Sequence, residues 1–394
     1  MPSYRCWVAA GIAFLLATGG CGPRADSHTA RRAARPGPDR GVEPPERHRP
    51  VTGKDGVTIE TLRAAIKKDP SKARLQFELA FLLHKSGRIT EAINYYRNAA
   101  AIKHDYFQPR FNLGRLYMER KNFAEAAKWF GRAAEVKPDH FECQYNHALT
   151  LIRTRQYEAA EKALEAAVKI GKMPGRVHYL RAVVSLRRGQ PKLALKSYRA
   201  AAKAGHATAE VWARIGFILM QQKKIREAMA ALRKALAKDP NHGLALANLG
   251  GMYMRKGKIK KALSYLQRAA KALKKGVGVR VNLGLALLRL KKYRQSLAPL
   301  KEAYRLKPGL PLLQISYGVS LLFDGQTKRG SKLIASAVRA KKSMAGLLGG
   351  YLAPLVKKKK LDGAIELLKA ILIGQPNNSV AKKNLLILLR RRGD

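Results

Sequence analysis

The sequence predicts an all-α chain built as a solenoid of helical hairpins, and three observations predict it. The stretch FNLGRLYMER, Phe111 to Arg120, returns as ANLGGMYMRK from Ala247 and as VNLGLALLRL from Val281, at intervals of 136 and 34 residues. Both are multiples of 34, the mark of an internal repeat. Counting Ala73 as position 1, nine 34-residue units follow without an insertion and end at Asn378. Across them, positions 8, 20 and 27 are Ala, Gly or Ser in twenty-five of twenty-seven instances, the exceptions being Leu352 and Ile371. Position 24 is always large, from Tyr96 and Phe130 to Ile334 and Leu368. Small columns beside a bulky one require two helices in close approach, with a side chain filling the space between them.

The elements follow in chain order. Arg5 precedes a charge-free run, Trp7 to Ala17, and then Thr18-Gly19-Gly20-Cys21. A short basic region, a short apolar run and small residues before a cleavage point are the parts of a secretory signal peptide over 1–20. The run falls short of the roughly 20 residues a membrane span takes. Cysteine directly after these small residues resembles the lipobox of bacterial lipoproteins, although Thr18 stands where Leu is usual and Gly19 where Ala or Ser is commoner. The resemblance implies that Cys21 becomes the lipid-bearing N-terminus. The expected location is a bacterial membrane, the outer membrane facing the periplasm, with a secreted or periplasmic form as the alternative. Cys143 would then be a lone thiol, in keeping with the absence of a disulfide framework. Residues 21–56 carry Pro at 23, 36, 38, 44, 45 and 50 and no apolar periodicity, and read as a disordered Pro/Arg-rich linker. A coil of that length reaches roughly 30–35 Å.

Residues 57–72 match the second half of a unit, with Leu62, Ala65 and Pro70 at positions 24, 27 and 32. In the nine units over 73–378, apolar residues recur at spacings of three and four, as in Leu113, Leu116 and Tyr117 and then Ala126, Phe130 and Ala133. Gly87, Gly189, Gly257 and Gly325 at position 15 stop the first helix, and Pro138, Pro240, Pro308 and Pro376 at position 32 follow the second. Pro299 and Pro354 fall inside expected helices and should kink or strain them. Residues 379–394 read as an amphipathic capping helix with Ser379 as its cap, closing the stack with Lys382, Lys383 and Arg390–Arg392.

The 34-residue period with small residues at 8, 20 and 27 and Pro at 32 resembles the tetratricopeptide repeat family. That resemblance implies a right-handed superhelix whose first helices line a concave groove through positions 2, 5, 6, 9, 12 and 13. Position 6 holds Asn112, Asn146, Arg214, Asn248 and Asn282, and an amide pairs with both halves of a peptide bond. Position 5 is aromatic at Phe77, Phe111, Tyr145 and Tyr179. Position 13 is basic at Lys85, Arg153, Arg187, Arg255, Arg289 and Lys357, a row suited to carboxylates. Against these stand plain structural readings: amides linking neighbouring units, aromatics packing between helices, and arginines on a solvated edge.

Charge bounds the partners. The chain carries 78 Lys and Arg against 26 Asp and Glu, a net charge of +52, and from Pro240 to Lys301 has no acid at all. Such a chain attracts polyanions in a salt-sensitive way. No catalytic constellation emerges. Gly251 to Lys258 has one residue too many for a P-loop, and Gly276-Val277-Gly278 lacks a third glycine. His140, Cys143 and His147 share one helical side, but His147 takes a core position, so no metal site and no cofactor are expected. Two readings stay open. One is a scaffold or adaptor lipoprotein of the bacterial envelope, binding an extended acidic peptide or protein in its groove. The other is a charge-driven binder of lipopolysaccharide, acidic glycan or, as the weakest candidate, nucleic acid. Neither reading needs a small-molecule substrate.

Overall fold

The structure is a computed structural model of the chain and describes residues 57–393. The leader, Cys21 and the Pro/Arg-rich stretch of the sequence reading lie outside the described residues. Every regular element among the described residues is helical, and none of these helices is long and apolar enough to cross a membrane. The chain divides into two units between Ala207 and Thr208.

The N-terminal unit opens with α1 (Ile59–Lys68), which packs on the first of four hairpins. These are α2 (Ala73–Lys85) with α3 (Ile89–Ile102), α4 (Phe107–Glu119) with α5 (Phe123–Val136), α6 (Phe141–Arg153) with α7 (Tyr157–Ile170), and α8 (Pro174–Arg187) with α9 (Pro191–Lys203). The C-terminal unit repeats the scheme with α10 (Ala209–Gln221) and α11 (Ile225–Lys238), α12 (Gly243–Arg255) and α13 (Ile259–Ala272), α14 (Val277–Arg289) and α15 (Tyr293–Leu306), and α16 (Pro311–Asp324) and α17 (Thr327–Ala340). Its end is α18 (Leu352–Lys357), α19 (Leu361–Gly374) and α20 (Ser379–Arg392).

The small columns do what their size predicts. A Cβ added at position 8 would meet the position-24 side chain of the same hairpin. The approach would be 2.7 Å from Phe130 at Gly114, from Leu232 at Gly216 and from Leu266 at Gly250, and 2.6 Å from Ile334 at Gly318. Leu300 stands closer still over Gly284. Phe130, Leu232, Leu266, Leu300 and Ile334 have no exposed surface, so each is a knob seated on bare backbone. In the eighth hairpin, position 20 is also glycine, and a Cβ on Gly330 would lie 2.8 Å from the carbonyl of Gly318. Ser296 and Ser320, both fully buried, hydrogen-bond at 2.7 Å between the seventh and eighth hairpins.

All nine first helices end in one corner. The N–H of position 16 donates to the carbonyl of position 11 and that of position 15 to position 12, as for Arg88 to Leu83 at 2.8 Å and Gly87 to His84 at 3.1 Å. This is the Schellman arrangement, which needs position 15 in the left-handed region. Gly87, Gly189, Gly257 and Gly325 supply it at φ 70 to 89°. The other five units adopt it with side chains in place, at Lys121 (61°), Arg155 (64°), Lys223 (61°), Lys291 (59°) and Lys359 (55°). A Cβ there costs roughly 1–2 kcal/mol.

A second column closes the second helices. Position 4 turns back onto the carbonyls that precede it. Gln76 donates to Pro70 O at 3.1 Å and Gln144 to Pro138 O at 3.0 Å. Arg110, buried, donates to Ala100 O, Lys103 O and Tyr106 O at 2.9 to 3.2 Å. Arg280 donates to Leu273 O at 2.9 Å and Lys274 O at 2.6 Å, and its Nε lies 2.8 Å from Glu302. Each buried guanidinium thus satisfies helix-end carbonyls that would otherwise be orphaned.

Three local expectations change. The first helix of the ninth unit is broken into 3₁₀ turns at Lys342–Leu347 and Gly349–Tyr351 before the six-residue α18. Gly346, Gly349 and Gly350 cost this stretch about 1 kcal/mol each as helix, and proline about 3. Pro354 consequently kinks nothing, because it sits in the first turn of α18, where its missing N–H has no intrahelical partner to lose. Pro299 does lie inside a helix, and α15 runs from Tyr293 to Leu306 around it. The cap of α20 is Asn378, whose Oδ1 accepts from Ala381 N at 2.9 Å, and Ser379 is the first helical residue.

Candidate partner-binding face

First helices contribute the candidate face. In the N-terminal unit Asn146 is half-exposed at position 6, followed on the same helix by half-buried Leu149 and Ile152 and exposed Arg153. On α8 position 6 is buried Leu180, and half-buried Tyr179, Val183 and Leu186 stand at positions 5, 9 and 12 with exposed Arg187. Arg153 lies over the Phe123 ring, its guanidinium carbon 5.5 Å from the centroid. Lys85 is exposed at the same position of the first hairpin, whereas Glu119 interrupts the row in the second. The result is an apolar strip with cations along its rim.

Asn112 is engaged within the fold, its amide donating to the Tyr96 hydroxyl at 3.3 Å. Burial pushes the Tyr96 phenol up to about 12, with this hydrogen bond opposing, so the ring stays neutral. The position-5 aromatics lie half-buried in ring contacts. Phe77 meets Tyr96 and Tyr106 at 5.7 and 5.4 Å. Phe111 meets Phe130 at 5.7 Å and His140 at 5.2 Å, Tyr145 stacks on Phe141 at 5.7 Å, and Tyr179 meets Tyr198 and His206 at 5.8 and 5.5 Å. Phe77, Phe111 and Tyr179 therefore join their own hairpin's knob to the next hairpin's entry. Phe81, at position 9 and absent from the expected site residues, is 50% exposed. Its signal was available: a large ring in a column expected to face a partner.

In the C-terminal unit the position-6 column divides. Arg214 is held by Glu210 on its own helix, and the second oxygen of Glu210 is 3.0 Å from His242 Nε2. Burial alone would raise the Glu210 carboxyl, but His242 and Arg214 outweigh it and hold the group at about 2. His242 Nδ1 meanwhile accepts from Ala245 N at 3.3 Å, capping α12. Asn248 is half-exposed. Asn282 is 3% exposed, and its Oδ1 has no hydrogen-bond partner among the described residues, which removes it from any open face. Arg255, Arg289 and Lys357 are exposed, and Arg289 reaches back to Met254 O at 3.4 Å.

His140, Cys143 and His147 have separate structural duties. His140 Nδ1 caps α6 by accepting from Cys143 N at 3.2 Å, and the Cys143 thiol lies 3.4 Å from Phe130 O. Burial lowers His147 to about 4 and raises Cys143 to about 12. Among the described residues no group of three or more His, Cys, Asp or Glu is placed to hold a metal ion.

Hairpins stacked in this way, with helix-face side chains half-open and cations on their rim, define a helical-repeat scaffold suited to protein binding. Two tetratricopeptide repeat models match the sequence, one over residues 83–149 and 219–275, the other over 59–106, 145–207 and 253–311. Together they cover more than half of the chain, which belongs to the tetratricopeptide repeat family. No curated protein matches it. Among solved structures, YrrB, described as a TPR protein with an unusual peptide-binding site, is 22% identical, with a TM-score of 0.40 over 50% of this chain and 97% of that one. MamA (41-end) of Desulfovibrio magneticus RS-1 is 19% identical, with a TM-score of 0.39 over 43% and 97%. PilF of Pseudomonas aeruginosa is 19% identical, with a TM-score of 0.40 over 54% and 97%.

Proposed function

We propose that the chain is an adaptor lipoprotein of the bacterial envelope, tethered through Cys21, whose first-helix face binds an extended peptide bearing acidic residues. One observation carries the peptide reading. On α6 and α8, Leu149, Ile152, Val183 and Leu186 lie half-open beside the exposed guanidinium groups of Arg153 and Arg187. Apolar strips take alternate side chains of an extended segment, and guanidinium groups suit the carboxylates between them. Asn146, half-exposed in the same row, adds an amide for the peptide backbone. Envelope location rests on the leader's pattern, and acylation of Cys21 follows from its place after Gly19-Gly20.

The test is an array of random dodecapeptides probed with the full chain and with Asn146→Ala/Arg153→Gln and Arg187→Gln variants. Selection of peptides rich in Asp and Glu, weakened severalfold in both variants, supports the reading. Binding without sequence preference, or unchanged by these substitutions, refutes it. For the anchor, a Cys21→Ser chain should move from the detergent to the aqueous phase on phase partition. Equal partition of the two chains refutes acylation there.

A further inference from the structure

We infer that the edge of the C-terminal unit formed by the corners between first and second helices is a docking surface for an anionic lipid bilayer. In successive hairpins each first helix runs antiparallel to its own second helix, and that helix antiparallel to the next first one. The first helices α10, α12, α14 and α16, packed in succession, therefore run in one direction and bring their C-terminal corners to one edge. The corner residues, positions 13 to 16, read QQKK (Gln221–Lys224), RKGK (Arg255–Lys258), RLKK (Arg289–Lys292), FDGQ (Phe323–Gln326) and KKKK (Lys357–Lys360). Twelve of these twenty residues are Lys or Arg, and Asp324 is the one acid. The strings that follow the second helices on the opposite edge, DPNH, LKKG, KPGL, KKSM and QPNN, hold five and include Asp239. The positive charge is thus concentrated by the fold on one side, a grouping that the count of cations along the chain does not display.

Solvent reaches this charge. Eleven of the twelve cations are exposed and Lys360 is half-buried. Among the described residues one carboxylate, Glu227, stands at 4.0 Å from a corner cation, Lys224. The backbone adds an independent argument. Lys223, Lys291 and Lys359 occupy the left-handed position that Gly257 and Gly325 fill in the same column without strain. A conformationally costly cation is kept at a site where glycine is the cheaper residue, and strain of this kind marks positions held for something other than stability.

The chemistry of the edge favours a bilayer over a polyanionic chain. Ten of the twelve cations are lysines, compact point charges on flexible stems, suited to a diffuse field rather than to bidentate recognition. The one aromatic residue of the corners, Phe323, is 8% exposed, so no ring is available for stacking nucleic-acid bases. Neighbouring corners follow the helix spacing of roughly 10 Å. Mobile acidic headgroups can gather beneath fixed charges at that interval, each Lys or Arg adding roughly fivefold in affinity. Contact would be peripheral, in keeping with the absence of a membrane-crossing helix among the described residues. The inference is separate from the peptide-binding reading, and its test spares Arg255 and Arg289.

The experiment measures sedimentation of the full chain, carrying Cys21→Ser, with vesicles of phosphatidylcholine alone or equimolar with phosphatidylglycerol. The neutral vesicles report any contribution of the apolar leader, and the increment from phosphatidylglycerol is the readout. One variant combines Lys223→Gly, Lys291→Gly and Lys359→Gly, which removes charge while relieving the backbone, so its fold is retained. A second combines Lys238→Gln, Lys271→Gln and Arg305→Gln, exposed cations in the last turns of second helices, toward the opposite edge. The expected result is a loss of roughly a hundredfold in the increment for the first variant and less than tenfold for the second. Equal losses would make net charge, not this edge, the cause and overturn the inference. So would the absence of an increment, or retention by heparin or duplex DNA without binding to the acidic vesicles.

Discussion

Gly250 and Leu266 allow the knob-and-backbone account of the repeat to be tested quantitatively. A Cβ on residue 250 would stand 2.7 Å from Leu266 Cγ and 2.8 Å from Cδ2, where carbon atoms ordinarily rest at about 3.5–4.0 Å. Leu266, with no exposed surface, would have to retreat by about 1 Å into packed neighbours. Overpacking on that scale costs roughly 1–3 kcal/mol, so Gly250→Ala should destabilise although alanine is the better helix former. Leu266→Ala leaves a cavity and should cost about 2–5 kcal/mol. In the double variant the new methyl enters the space the leucine vacated. The pair should then be less destabilising than the two single changes added together, by about 1–3 kcal/mol. A helical-repeat array need not unfold in one step. The measurement is therefore hydrogen exchange read by mass spectrometry on peptides from α12 and α13, which reports local opening. Additive single effects, or a neutral Gly250→Ala, would refute the contact as the reason for the small column.

Four further outcomes follow from the described geometry. Lys121→Gly removes a Cβ from a residue at φ 61°. The relief of roughly 1–2 kcal/mol exceeds the added flexibility of glycine, about 0.5–1 kcal/mol, so the melting temperature should rise, and a fall would contradict the assigned corner. His147 keeps its ring neutral down to about 4 because of burial, whereas the unfolded chain takes the proton near 6.5. Stability should fall as pH drops from 6.5 to 4, by roughly 2–3 kcal/mol at most, and urea titrations of His147→Leu should show a shallower slope across that window. Glu210 acts lower on the scale: its contribution is present above about 4.5 and is lost as pH falls toward 2, so Glu210→Gln should flatten that acid limb. The Cys143 thiol, buried and raised to about 12, should resist iodoacetamide in the native protein and react once urea unfolds it; fast native labelling would place it at the surface.

The period was legible because every hairpin solves the same packing problem, so glycine at position 8 and leucine, isoleucine or phenylalanine at 24 recur wherever the contact does. The ninth unit shows the limit of counting. Its period is intact, but Leu352 at position 8 and the glycines at 346, 349 and 350 already contradicted an intact first helix, and the structure follows those residues rather than the ruler. The candidate site was less legible for a related reason. A column fixes where a backbone stands, but neighbours outside the column, on the same helix or in adjacent hairpins, decide what its side chain meets. Asn112 reaches a tyrosine hydroxyl, Arg214 a glutamate, Asn282 the interior, and Asn146 and Asn248 remain half-open, although all five share position 6. Tyr96, Glu210 and His242 set those outcomes, and none of them lies in that column.

Position 15 carries the converse lesson. Glycine in four units announced a left-handed corner, and the register alone requires the same conformation of Lys121, Arg155, Lys223, Lys291 and Lys359. Residue type hides this, because lysine in a turn ordinarily signals only solvent. Once the corner is fixed by its two hydrogen bonds, the choice between glycine and a cation no longer shapes the backbone, and the cation is the strained choice. In a repeat protein the departures that run against local preference are the ones a packing argument cannot explain. Here they place positive charge along one edge of the C-terminal unit, at Lys223, Lys291 and Lys359, where exchange for glycine separates stability from binding in a single variant.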